Sequence, residues 1–153
     1  MFKLGTKSRN NLQGVKEALI KLVEEAITTT RIDFTVIEGV RSQTRQQQLV
    51  KAGASQTLQS KHLTGDAVDL AAWVAGKLEW NEQCYYPIAD AMRDAAIKYN
   101  VRIRWGGAWG LCLNDFPDAR SATAQYKANR KELAKRQGKK PTYFFDFVHF
   151  ELL

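Results

Sequence analysis

Residues 67–72 read AVDLAA, a short run of apolar side chains suited to one buried β-strand, with a carboxylate near its centre. Side chains alternate across a strand, so Asp69 faces away from Val68 and Leu70. An acid in such a strand needs an explanation, because a carboxylate taken out of water is strongly disfavoured unless it is paired or bound. Any fold for this chain must bury one face of that strand and give the other face a partner for Asp69.

The neighbouring segments supply the layers. Leu12, Val15, Leu19, Leu22, Val23, Ala26 and Ile27 recur at helical spacing, so residues 8–27 predict one amphipathic helix with Ser8 as its N-cap. Residues 32–40 are β-branched and aromatic and predict a strand. A polar helix follows from about Gln43, which Gly53 can end, and Arg41 sits at the junction. Cys84, Tyr85, Ile88, Met92, Ala95, Ala96 and Tyr99 mark a second amphipathic helix. Residues 101–105 predict a strand ending in Gly106-Gly107, and residues 148–152 alternate as a closing strand. This mixed order, without a regular βαβ repeat, predicts an α+β fold. The expected architecture is a single small domain over residues 1–153, with a central antiparallel sheet flanked by helices and a basic helical insertion at about 114–141.

At 153 residues the chain can bury about 68–70% of its unfolded surface in one core. Charge is uneven: residues 119–140 hold eight basic side chains and one acid, Glu132, leaving 15 of each sign elsewhere from totals of 23 and 16. The net charge of +7 therefore sits in one segment of an otherwise neutral body. Lys127, Arg130, Lys131, Lys135 and Arg136 are its candidate anion-binding residues. Ala119, Ala122, Tyr126 and Leu133 give that segment a thin apolar stripe. Lys3, Lys7, Arg9 and Lys16 interrupt any amino-terminal apolar stretch, so no secretory signal is expected. No apolar run reaches the roughly 20 residues of a membrane helix. Cys84 and Cys112 match no CxxC spacing and are read as free thiols.

Only two histidines are present, each with an aspartate at short range: His62 with Asp69, and His149 with Asp146. Two imidazoles and one carboxylate make the three protein ligands of a catalytic zinc site that keeps one position open. Cys84 and Cys112 are possible ligands by chemistry, but neither lies beside a histidine. If a strand begins near Val148, then His149 and Glu151 share one face, and Asp146 falls in the preceding turn as a candidate general base. Glu151 can then accept the other imidazole N–H. Of the four tryptophans, Trp105 and Trp109 flank glycines in a turn and are the candidates for an exposed substrate groove.

The segment SKHLTGDAVD, residues 60–69, resembles the S-x-H-x-x-G-x-A-x-D signature of the D-alanyl-D-alanine peptidase family of zinc enzymes, matching at Ser60, His62, Gly65, Ala67 and Asp69. DFVH, residues 146–149, is similar to that family's second motif. An aspartate at 146, where many members have glutamate, resembles the phage L-alanyl-D-glutamate endopeptidases. The opening FKLG with Ser8, DFTVIEGVRS with Arg41, KHLTGDAVDL, IRWGGAWG and the closing HFEL are similar to those endolysins in the same order. The resemblance implies one zinc ion on His62, Asp69 and His149, Asp146 as catalytic base, and Arg41 as a clamp for substrate or transition state. It departs at Ala108, where many relatives have aspartate, and in a longer segment 114–141.

The resemblance also implies the function: a peptidoglycan endopeptidase that cuts the L-Ala–D-Glu bond of the stem peptide with zinc-activated water. The expected partner is bacterial peptidoglycan, with anionic envelope lipids meeting residues 119–140, no nucleic acid, and a monomeric protein. It would accumulate in the cytoplasm of an infected bacterium and reach the periplasm or wall on release. Two rivals follow from the same residues: a D,D- or L,D-carboxypeptidase or dipeptidase, and a non-catalytic zinc- or anion-binding module.

Overall fold

The computed structural model describes residues 1–55 and 57–153. Among them are five helices and five strands: α1 (Thr6–Asn11), α2 (Glu17–Thr29), β1 (Phe34–Glu38), α3 (Gln43–Lys51), β2 (Ala67–Val74), β3 (Lys77–Glu79), α4 (Tyr85–Lys98), β4 (Ile103–Gly106), α5 (Ala119–Arg136) and β5 (Asp146–Leu152). The strands form one sheet in the order β1-β2-β5-β4, every neighbouring pair antiparallel, with β3 folded back on the far end of β2. The α+β expectation holds.

Burial follows the two periodicities. In α2, Leu19, Leu22, Val23, Ala26 and Ile27 fall on one stripe and are buried. They meet α4, whose Ile88, Met92, Ala95 and Ala96 are also buried, and both helices share a core with Val68 and Leu70 of β2, Trp105 of β4 and Phe150 of β5. Asp69 and His149 are paired across β2 and β5, so their side chains emerge together on the face away from those helices. The core face thus fixes which residues the opposite face presents.

Several sequence expectations need correction. The helix expected over 8–27 is two helices, because Gly14 takes φ +83 and turns the chain between them. Ser8 is not an N-cap. It lies inside α1, buried, where its hydroxyl accepts from Val36 N at 3.0 Å and shares a hydrogen bond with Thr35 Oγ1 at 2.9 Å. Asp146 is not in a turn but opens β5, opposite Gly106 at an irregular step in the β4–β5 pairing. A Cβ at residue 106 would lie 1.9 Å from the Asp146 carbonyl oxygen, so only glycine lets the strands close there. In α5 the buried apolar residue of the last turns is Ala134; Leu133 is exposed.

Candidate metal centre

His62 stands on a short 3-10 turn, Lys61–Thr64. Ser60 caps the turn, its hydroxyl accepting from His62 N at 3.2 Å, and Gly65 closes it at φ +76, packed so that a Cβ would lie 2.6 Å from Gly14 O. The chain then enters β2, where Ala67 leaves room beside its partner Glu151, and Asp69 follows two residues later on the same face. Ser60, Gly65 and Ala67 are therefore spaced by the turn-to-strand geometry that delivers His62 and Asp69 to one point.

That point is shared by three donor atoms. His62 Nε2 lies 3.2 Å from Asp69 Oδ1 and 3.2 Å from His149 Nδ1, and His149 Nδ1 lies 3.3 Å from Asp69 Oδ1. All three residues are buried, and together they form a group able to hold a metal ion. Zinc bonds of about 2.0–2.1 Å at tetrahedral angles separate neighbouring donors by roughly 3.3 Å, so the arrangement fits the ion without rearrangement. The outer nitrogens strengthen the fit. His62 Nδ1 donates to Gly39 O at 2.8 Å, and His149 Nε2 donates to Glu151 Oε1 at 2.9 Å. Those acceptors hold a proton on each outer nitrogen and leave the inner ones to coordinate.

The electrostatics agree. Burial would raise the Asp69 pKa, yet hydrogen bonds from His149 and His62 hold its carboxyl well below the usual carboxylate range. Burial would lower the His149 pKa, but the carboxylates of Asp69 and Glu151 on its two sides push it up to about 9 in the metal-free protein. A metal must then displace the proton on Nδ1. Glu151 is itself held below its ordinary value: burial opposes this, and the hydrogen bond from His149 outweighs it, helped by Lys61 and Arg104, each 3.7 Å away.

A cavity of about 710 Å³ opens over the three donors, with Arg41, Trp109, Phe144 and Asp146 in its wall. Burial and the charge of Asp69 raise the Asp146 pKa, which suits a carboxyl that must both take and return a proton. Arg41 is half committed. Its Nε and Nη2 donate to the two Glu38 oxygens at 2.7 and 2.8 Å, Nη1 donates to Gln46 Oε1 at 2.7 Å, and Nη2 lies 3.6 Å from Asp69 Oδ2. One N–H on each terminal nitrogen remains.

Sequence reasoning missed Gln46. It is fully buried, and while accepting from Arg41 it donates through Nε2 to Ser55 Oγ at 2.9 Å and to Thr57 O. It joins α3, Ser55, Thr57 and Arg41 around the cavity. Trp109 lines the cavity, its ring 5.2 Å from the His149 ring and 5.9 Å from that of Phe144. Trp105 does not. It is fully buried, donates Nε1 to Phe147 O at 2.8 Å and stacks on Phe150 in the core. Cys84 and Cys112 are free and lie outside the ligand group.

Comparisons with known proteins give the family. Residues 1–153 match the model of a family described as phage L-alanyl-D-glutamate peptidase. The L-alanyl-D-glutamate peptidase of Escherichia phage T5 is 32% identical over 112 residues, covering 71% of this chain and 82% of that protein. Its counterpart in Listeria phage A118 is 30% identical over 78 residues, 51% of this chain and 27% of that protein. The crystal structure of the Serratia marcescens L-Ala D-Glu endopeptidase ChiX superposes with a TM-score of 0.72 at 33% identity, covering 97% of this chain and 87% of that one.

Proposed function

The chain belongs to the phage L-alanyl-D-glutamate peptidase family, and from that premise we propose that it is an endolysin-type peptidoglycan endopeptidase hydrolysing the L-Ala–D-Glu bond of the stem peptide. The observation that carries this reading is the convergence of His62 Nε2, Asp69 Oδ1 and His149 Nδ1 beneath a cavity whose wall includes a free carboxyl, Asp146. One zinc ion on those three residues would supply Lewis acidity toward water and a carbonyl oxygen.

The chain's own groups do the rest. Asp146, with its pKa raised by burial and by Asp69, takes the proton from the attacking water and returns it to the departing amine. Arg41 sets its Nη2 group 3.6 Å from Asp69 Oδ2 and offers the remaining N–H of Nη1 to the charge that builds on the carbonyl oxygen or to a substrate carboxylate. Glu151 keeps His149 in the tautomer that leaves Nδ1 free. Trp109 and Phe144 present flat apolar walls against which the peptide can lie.

The partner in this reading is peptidoglycan, met by a monomer, with anionic envelope lipids engaging residues 119–140 and no nucleic acid involved. No helix among the described residues is long and apolar enough to cross a membrane. The reading has the protein collect in the cytoplasm of the infected cell and reach the wall once the inner membrane is opened. Sacculus turbidity tests the chemistry: chelation should abolish the fall in turbidity and added zinc should restore it, whereas full activity in demonstrably metal-free protein would end the proposal.

A further inference from the structure

Most of the charge on the carboxyl-terminal half of α5 has no carboxylate partner among the described residues and no part in the proposed chemistry. Favourable interaction with a helix dipole is confined to the last turn, which here holds Lys135 and Arg136. Lys127, Arg130 and Lys131 lie earlier, and Lys127/Lys131 and Lys131/Lys135 are like charges at i, i+4, which repel. Arg136 pairs with Glu132 at 3.3 Å. Among the described residues, no carboxylate lies within 4.0 Å of Lys127, Arg130, Lys131, Lys135, Lys139 or Lys140.

Part of this charge surrounds a shaped site. Gly138, at φ +63, ends the helix and turns the chain so that Lys139 N donates to Ala134 O at 2.9 Å, which brings the following residues back beside the last turns. Between them lies a cup of about 260 Å³, its apolar lining Leu133 and Ala134, its cations Arg130, Lys139 and Lys140. Arg130 is held in place, Nε donating to Thr142 O at 2.8 Å and Nη2 to Thr142 Oγ1 at 2.9 Å, so its Nη1 group is oriented and has no hydrogen-bond partner among the described residues. One fixed guanidinium, two flexible ammonium groups and an aliphatic lining complement a phosphate ester carried on hydrocarbon. A nucleobase would need an aromatic face, and the cup lining contains none.

We propose that this cup binds the phosphate headgroup of an anionic lipid and so moors the enzyme to a membrane surface. The inference deepens the reading of the chain as an envelope enzyme and rests on it. Thr142 of the cup precedes Phe144 of the catalytic cavity by two residues, so one short segment carries both the mooring and the wall of the active site.

Co-sedimentation of the zinc-loaded full chain with vesicles tests it. Phosphatidylcholine vesicles should bind little, and vesicles of equal parts phosphatidylcholine and phosphatidylglycerol should bind well. Replacing Arg130, Lys139 and Lys140 together with Gln should weaken binding on the order of 100-fold, from about 1 kcal/mol per basic residue near an anionic surface. Replacing Lys131, Lys135 and Arg136 removes equal charge outside the cup and should cost clearly less, because those side chains do not converge on one headgroup. Because Arg130 also anchors Thr142, the Lys139→Gln/Lys140→Gln pair is measured as well and should reproduce most of the loss. No binding to the anionic vesicles, equal loss in the two triple variants, or tighter binding to duplex DNA at the same ionic strength would overturn the proposal. Displacement from vesicles by millimolar inorganic phosphate alone would assign the cup to free phosphate and overturn the lipid assignment. Hydrolysis of a soluble stem peptide, measured on the same preparations, reports separately on the catalytic reading and should stay within a few-fold of the parent.

Discussion

Glu151→Gln removes one negative charge from beneath the metal centre while keeping the side chain's shape and one acceptor oxygen. In the parent, Glu151 accepts from His149 Nε2 at 2.9 Å and sits 3.7 Å from both Lys61 and Arg104. The charge makes His149 a more basic ligand, and loss of such an outer partner typically costs 10–100-fold in metal affinity, about 1.4–2.8 kcal/mol. Competition against a chromophoric chelator should show a weakening of that size.

The same substitution alters the metal-free protein. His149 has a folded pKa of about 9 against an ordinary value of 6.5. Its contribution to stability is therefore complete below 6.5 and is lost as pH rises through about 9, and at most it amounts to about 3 kcal/mol. In Glu151→Gln the folded pKa falls toward 6.5, so urea unfolding in excess chelator should show less stability at neutral pH and a shallower decline above it. Zinc bound at Nδ1 would take the place of that proton, so zinc-loaded protein should lack this decline. Parent-like zinc affinity together with a parent-like pH profile would refute the role given to Glu151.

Asp146→Asn keeps the volume of the side chain but cannot take a proton, so zinc content should persist while turnover falls about 10²–10⁴-fold. Metal analysis beside a rate assay on soluble stem peptide checks this, and near-parent turnover would move the base elsewhere, with Glu151 next in line. Gln46→Leu strips Arg41 Nη1 of its acceptor and takes a donor from Ser55 Oγ and Thr57 O, at a side chain that is itself fully buried. Leaving a buried donor such as Arg41 Nη1 unpaired costs about 1–3 kcal/mol, so chemical denaturation should show a loss of about that size, and Gln46→Glu, which restores the acceptor for Arg41, should recover part of it.

How much of this was legible in sequence depended on whether a local rule fixed the residue. Asp69 stood out because a carboxylate inside an apolar strand violates its surroundings. The pairing of His149 with Glu151 followed from strand alternation alone. Gln46 gave no such signal, being one of three consecutive glutamines in a polar helix, and it is buried among Arg41, Ser55 and Thr57, which come from elsewhere in the chain. The break after α1 was hidden because Leu12 and Val15 stay on the apolar stripe even where Gly14 reverses the chain. Trp105 was recoverable: alternation with Ile103 places both on the core face of β4, whereas adjacency to glycine was the weaker cue. The strand pattern visible in the sequence starts at Val148 and leaves Asp146 outside it, whereas β5 extends to 146 because Gly106 lets β4 approach.

The most direct test of the central claim is mass-spectrometric identification of the fragments released from purified sacculi by protein reconstituted with one equivalent of zinc. Cleavage by the His62, Asp69 and His149 centre with Asp146 as base predicts new L-Ala carboxyl termini matched by new D-Glu amino termini, both absent when the metal is withheld. Fragments cut at another bond, or the same fragments from the metal-free protein, would contradict it.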